Sequence, residues 1–287
     1  MTDKKLERIG ISCGDWSAEV LPGYSMNLIS LKYRDRQIMR TPENDDAFVR
    51  SHIVYGNAFL LPPDRTTGGK FTFEGKTYSL PVNEEKWGNN LHGLMTDADF
   101  VVTGSGKSYV SGRYVNEGER YPFKFTCDIT VEVAEDGLSE TYEFENTGDC
   151  SMPLLFGLHT NFASRGYVKV PVEKEYIFDR STFTPGKEPV ELTENGRLLL
   201  EGTDPTGKTI SNFFVSAGDT AVIDDFEYIA SPAFRNWVVW NCGGDKGFIS
   251  VEPESGPANG LNMEGAFDVI EAGQRIVFTT KIRLAAH

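Results

Sequence analysis

The sequence lacks the usual marks of cofactor and metal chemistry. Its 29 glycines include no Gly-x-Gly-x-x-Gly opening a helix, so a dinucleotide has no obvious cradle. Histidine is scarce: there are four, one of them the terminal His287, and no two sit at ligand spacing on one helix face. Cys13, Cys127, Cys150 and Cys242 are far apart and form no Cys-x-x-Cys. In a chain of 287 residues this reads as reduced thiols rather than a disulfide frame. No metal and no cofactor are expected. No apolar run approaches the ~20 residues that a spanning helix requires. The segment from Met1 to Arg8 is polar, without the apolar centre of a signal peptide. A cytoplasmic protein is the expectation. Positive charge is in deficit, with 28 Lys and Arg against 42 Asp and Glu, a net charge of −14. Such a surface repels phosphate backbones and anionic lipid, which argues against nucleic acid and membranes as partners.

Sustained helical periods are also missing, and strand signals take their place. Phe123, Phe125, Cys127, Ile129, Val131 and Val133 alternate with Lys124, Thr126, Asp128, Thr130 and Glu132, the period of a half-buried strand. Glu135-Asp136-Gly137 supplies a turn, and alternation resumes from Thr141 to Glu145, which predicts an antiparallel hairpin. Residues 275–284 alternate in the same way. Further strands are expected over 9–13, 18–33, 98–103, 108–114, 152–158, 221–223, 237–240 and 247–251. Many strands between Gly- and Pro-rich turns predict an all-β, mostly antiparallel sandwich or barrel. No linker or repeat interrupts the chain. The polar stretch 173–206 reads as an excursion, so one domain over 1–287 is expected.

Three constellations could carry chemistry. In Leu60-Leu61-Pro62-Pro63-Asp64-Arg65-Thr66-Thr67-Gly68-Gly69, an arginine stands in irregular backbone between a proline pair and a glycine pair; Asn89-Asn90-Leu91-His92-Gly93 follows. Arg65 is either a surface turn residue or a guanidinium for hydroxyl oxygens, and His92 either a structural imidazole or a ligand contact. In Phe156-Gly157-Leu158-His159-Thr160-Asn161-Phe162, His159 ends an apolar strand, where it is either a packed core group or a proton donor and acceptor. Val251-Glu252-Pro253-Glu254-Ser255-Gly256-Pro257 places two carboxylates where a strand runs into a turn. Glu252 and Glu254 would share a face only if the strand continued through Pro253. Upstream lie Ile223-Asp224-Asp225 and Trp237-Val238-Val239-Trp240, whose indoles are platforms for sugar rings or ordinary core.

Taken together and in this order, from about Leu60 to the end, these motifs resemble the aldose 1-epimerase family, also called galactose mutarotases. The resemblance implies a β-sandwich of the galactose mutarotase type with a monosaccharide in a cleft across its concave sheet. It also implies cofactor-free interconversion of α and β anomers of a free aldose. By the same resemblance the general base falls on Glu252, the general acid on His159, and the sugar contacts on Arg65, His92 and Asp224, with Asp225 one position away. This chain departs from many relatives in having Thr160-Asn161 after the histidine and Glu254 after Glu-Pro.

Three other functions compete. A hexose-6-phosphate 1-epimerase would want further cations, for which Arg165 and Arg235 are candidates. A non-catalytic carbohydrate-binding protein would not require a matched acid and base. A glycosidase or lyase would pair Glu252 with Glu254 or Asp224. The net negative charge favours neutral aldoses over sugar phosphates.

Overall fold

A computed structural model of the chain describes residues 6–163, 166–179, 181–186, 188–244 and 246–286; Arg165 and His287 lie outside the described residues. Two large sheets dominate. The first has eight strands in the order Val101–Ser105, Tyr109–Asn116, Phe125–Ala134, Gly137–Asn146, Arg275–Leu284, Phe226–Ala230, Thr220–Ile223 and Val168–Lys169. The second has six, in the order Val172–Tyr176, Ser211–Ser216, Asn236–Trp240, Ile249–Glu254, Gly157–Phe162 and Asn57–Leu60. Neighbouring strands within both sheets run antiparallel. A four-stranded sheet, Ile9–Cys13, Trp16–Leu21, Asn27–Tyr33 and Arg36–Gln37, joins the same core.

The inner faces of the two large sheets meet through aromatic rings. Phe59 of the six-stranded sheet lies 5.8 Å from Phe144 of the eight-stranded one, and Phe162 and Trp237 lie 5.3 and 6.1 Å from Tyr228. A polar network crosses the same gap. Glu140 Oε2 accepts from Asn57 Nδ2 at 2.8 Å and Thr280 Oγ1 at 3.1 Å. Thr160 Oγ1 lies 2.8 Å from both Asn57 Oδ1 and the Tyr228 hydroxyl. Burial pushes the Glu140 carboxyl up to about 7 against the pull of these hydrogen bonds.

Several expected boundaries move. The run 18–33 is two strands, because Pro22-Gly23 forces a 3-10 turn at Pro22–Tyr24, and Ser25 and Met26 take positive φ. The run 152–158 also divides. Met152–Leu154 pairs with Asp268–Ile270, while Gly157–Phe162 enters the six-stranded sheet. Two short helices, Asp45–Arg50 and Glu194–Glu201, were not foreseen. Asn44 caps the first by accepting from Ala47 N, and Thr193 caps the second. Among the described residues no helix is long and apolar enough to cross a membrane.

The shift that matters most is at Pro253. The strand continues through it to Glu254 in the middle of the sheet. Proline lacks an N–H, and central strands rarely hold one. Here the ladder to Gly157–Phe162 passes from the Gly157–Glu254 pair to the Asn161–Ser250 pair without a registered pair between. That gap accommodates Pro253 and leaves Glu252 and Glu254 on one face.

Candidate active site

Strand register builds the floor of the site. His159 lies beside Ala58, and the ladder on its other side sets it opposite Glu252. Glu252 pairs with Val238, and Val238 with Phe213. These side chains form one row across the sheet. The next row is Asn161, Ser250, Trp240 and Ser211. Alternate residues such as Leu158, Val251, Trp237 and Phe214 face the core. Parity therefore separates the two tryptophans: Trp237 is core and Trp240 lines the cleft. Loops wall a cleft of about 430 Å³, bringing Asp64, Arg65, Leu91 and His92 from one side and residues 50–54 from another, with Phe183 completing the wall.

His159 Nε2 lies 3.4 Å from Glu252 Oε1. The rest of the imidazole is held by a hydrogen-bond chain. Asn161 Nδ2 donates to the carbonyls of Ile53 and His159, each at 2.9 Å, so its Oδ1 is the acceptor side. Ser250 Oγ donates to that Oδ1 at 2.6 Å and has only a lone pair left for His159 Nδ1, 3.4 Å away. This assigns the hydrogen to Nδ1 and a lone pair to Nε2, facing Glu252. Burial drives the His159 pKa down to about 4 and, with the Asp64 charge as the lesser cause, drives Glu252 well above the usual carboxylate range. Burial thus disfavours the charged form of both partners.

His92 is locked by its own turn. Its backbone N–H donates to Asp64 O at 2.7 Å, and its Nδ1 accepts from Asp64 N at 3.2 Å. Nε2 then carries the hydrogen, and burial keeps the ring neutral. The ring stands edge-on to His159 with centroids 5.6 Å apart. His92 has φ +61° and Gly93 φ +65°, and a Cβ on Gly93 would lie 1.7 Å from Leu61 O. Glycine is required there by space as well as by conformation.

Arg65 is heavily engaged. Its Nε and Nη2 reach the two Glu84 oxygens at 2.9 and 2.8 Å, and Nη1 reaches Asp64 Oδ1 at 2.9 Å. Phe183 lies against the guanidinium, 4.4 Å from its centre. Three of five N–H groups are spent, which leaves two for a ligand. Burial pushes Asp64 up to about 6 in spite of Arg65.

Asp224 is not at this site, and the expectation for it is corrected. Asp224-Asp225 is the two-residue turn of a hairpin in the eight-stranded sheet, and Asp224 takes φ +54°. Such turns favour Asp for its tolerance of left-handed backbone, a structural reason for the residue that the sequence pattern could not separate from a binding one. Its carboxylate meets Arg36 Nη2 at 3.4 Å and accepts from Tyr167 N at 3.2 Å. Arg235 pairs with Asp268 at 2.8 Å and does not line the cleft. Phe183, Phe213, Ser211 and the Arg65 partner Glu84 were not foreseen. Only Ser211 and Phe213 carried a usable signal, the short β-prone run Phe213-Phe214-Val215.

This arrangement, two antiparallel sheets stacked with a histidine and a glutamate in one row under a loop-walled cleft, has the galactose mutarotase-like fold. A galactose mutarotase-like protein from Clostridium acetobutylicum superposes with a TM-score of 0.89 at 23% identity, covering 98% of this chain and 95% of that one. A GalM/aldose epimerase homologue from C. elegans gives 0.81 at 14% identity, covering 98% and 99%. The uncharacterised protein YihR of Escherichia coli (strain K12) is 22% identical over 155 residues, 53% of this chain and 49% of that protein. The chain belongs to the aldose 1-epimerase family, whose model matches residues 27–282.

Proposed function

We propose that the protein interconverts the α and β anomers of a free aldose by opening and reclosing the ring. The observation that carries this reading is the buried His159–Glu252 pair, 3.4 Å apart on the cleft floor. The reactive form has Glu252 ionised and His159 protonated at Nε2: Glu252 then removes the proton of the anomeric hydroxyl, the C1–O5 bond breaks as the carbonyl forms, and His159 Nε2 protonates O5. Rotation about C1–C2 and the reverse transfers from the other face give the second anomer. The open-chain stage leaves Glu252 protonated and His159 neutral, the arrangement that burial favours, so the sheet floor stabilises the ring-opened state. Arg65 and His92 are the sugar contacts in this reading, holding hydroxyls so that the open chain recloses in place. Trp240 and Phe213 offer aromatic faces to the ring.

Two competing functions lose support. A glycosidase needs two carboxyl groups about 5–9.5 Å apart across the scissile bond. Glu254 is buried outside the cleft lining and Asp224 is on the other sheet. A purely binding role leaves the paired acid and base without a task. An epimerase for hexose 6-phosphates retains one supporting feature, Arg50 among the cleft-lining residues. The test is polarimetry or NMR of freshly dissolved α-glucose, α-galactose and their 6-phosphates. Acceleration of none of them sinks the proposal, and acceleration of the phosphates alone moves it to the second substrate class.

A further inference from the structure

Glu254 is a carboxyl group with no evident reason to be where it is. It is 1% exposed, and neither of its oxygens meets a hydrogen-bond partner among the described residues. Its register partners are Gly157 and Asn236, and it lies two residues along the same face from Glu252, about 7 Å between Cα atoms. Pro63 closes over it: a Cβ on Gly157 would sit 2.9 Å from Pro63 Cβ and 3.0 Å from Glu254 Cγ. The absence of a side chain at Gly157 is what lets the loop seal this carboxyl beneath Pro63. The charges that act on it are carboxylates, Asp64 and Glu252, and Arg65, the cation bound to Asp64, is already divided between Asp64 and Glu84.

We propose that Glu254 is a positioning residue which keeps its proton and donates it as a hydrogen bond to the Glu252 carboxylate in the working state. The inference rests on the acid–base reading of Glu252. Three carboxyls cannot all ionise in one dry pocket, and the one without any donor is the one that stays neutral. A neutral carboxylic acid is a hydrogen-bond donor, and the Glu252 carboxylate, two residues along the same face, is the acceptor the proposal assigns to it. While Glu252 keeps its proton it offers no carboxylate to this donor. When the proton moves from Glu252 to His159, Glu252 becomes the acceptor and the pair closes. Glu254 thus offsets part of the cost of ionising a buried base. Of the other groups around Glu252, Asp64 is pushed up to about 6 and ionises at the acid end of the profile, while His159 and His92 are lowered and neutral, Tyr228 beneath the sheet is pushed far above its usual range by burial, and Arg65 stays cationic.

The experiment compares wild type, Glu254→Met and Glu254→Gln. Glutamine keeps a donor at the same length and methionine keeps only the volume. By polarimetry across pH, Glu254→Met is expected to lower kcat about tenfold and to move the alkaline limb of the profile up by about one pH unit, since Glu252 then ionises less readily. Glu254→Gln is expected to restore both. If methionine and glutamine behave alike, hydrogen-bond donation is not the role. If both lower the alkaline limb, Glu254 carries a negative charge in the wild type and the proposal is wrong. Removing an unpaired buried carboxyl for an apolar residue should raise Tm, so both variants are expected to fold. Carbon-13 NMR of the glutamate carboxyls gives a readout independent of turnover. A Glu252 titration that moves up in Glu254→Met and returns in Glu254→Gln supports the pairing even if every sugar tested is inert. Identical titrations overturn it.

Discussion

Individual residues in this cleft are defined by what their neighbours have already used. Ser250 spends its hydrogen on Asn161, which fixes the His159 tautomer, and Arg65 spends three donors on Asp64 and Glu84. Glu252→Gln and His159→Asn each remove one member of the proposed acid–base pair. Each is expected to reduce kcat/KM by about 10²–10⁴ with the fold intact, and the double variant to be little worse than either single one. Wild-type turnover in either single variant would contradict the assigned role. Arg65→Ala is expected to raise KM more than it lowers kcat, since the proposed reading gives Arg65 hydroxyl contacts and no part in the proton transfers. Asp224→Ala supplies the contrast. It severs the contact with Arg36 of the four-stranded sheet, outside the cleft lining, and kinetic constants indistinguishable from wild type are expected. A raised KM there would return Asp224 to the sugar site.

Secondary-structure elements show why part of this was legible in the sequence. Strict alternation over 125–134 and 275–284 made those strands readable, because each buries one face against the core. His159 and Glu252 were readable because each belongs to a compact local motif that resembles a family pattern. The rest depends on contacts between distant segments. Burial of Glu254 needs the Pro63 loop to pass over Gly157, nearly a hundred residues earlier than the glutamate. The aromatic wall needs Phe183, from an excursion that carried no strand or helix signal, to rest on Arg65. Asp224 misled because an acidic pair in a tight hairpin turn looks the same as an acidic pair at a site. The segment Leu61–Asp64 and the turn at His92-Gly93 form the element on which the cleft wall depends. Gly93→Ala places a methyl against Leu61 O in a left-handed conformation. It is expected to cost about 2 kcal/mol or more and, by displacing His92, to raise KM. Unchanged stability in denaturant would show that the two segments can separate without cost.

At the scale of the whole molecule, the buried titratable groups set how stability follows pH. Burial raises Glu140 to about 7 and Asp64 to about 6, and raises Glu252 and Glu254 further still. His159 and His92 are lowered. An acid whose folded pKa lies above its unfolded value contributes stability that is complete below pH 4 and is lost as pH rises through the folded value. A lowered histidine works the other way, costing stability as pH falls below 6.5. Between about pH 4 and 6.5 the two classes oppose each other. Above 6.5 both histidines are neutral in either state, and the acids alone remain, acting in the same direction as the self-repulsion of a chain at −14. Tm is therefore expected to fall steadily from pH 6.5 to 9. Glu140 isolates one share of this effect because it lies in the core between the sheets and outside the proposed chemistry. A glutamine there can still accept from Asn57 and Thr280, and its amide occupies the side where Glu140 Oε1 has no partner. A change from 4.5 to about 7 in a fully buried group corresponds to roughly 3 kcal/mol. Glu140→Gln should accordingly raise Tm by several degrees at pH 8.5, where the wild type must bury a charge or take up a proton, and change it little at pH 5. Calorimetry at the two pH values decides it. Equal shifts at both would mean that Glu140 does not titrate in this range, and a loss at pH 8.5 would mean that the core network requires its charge.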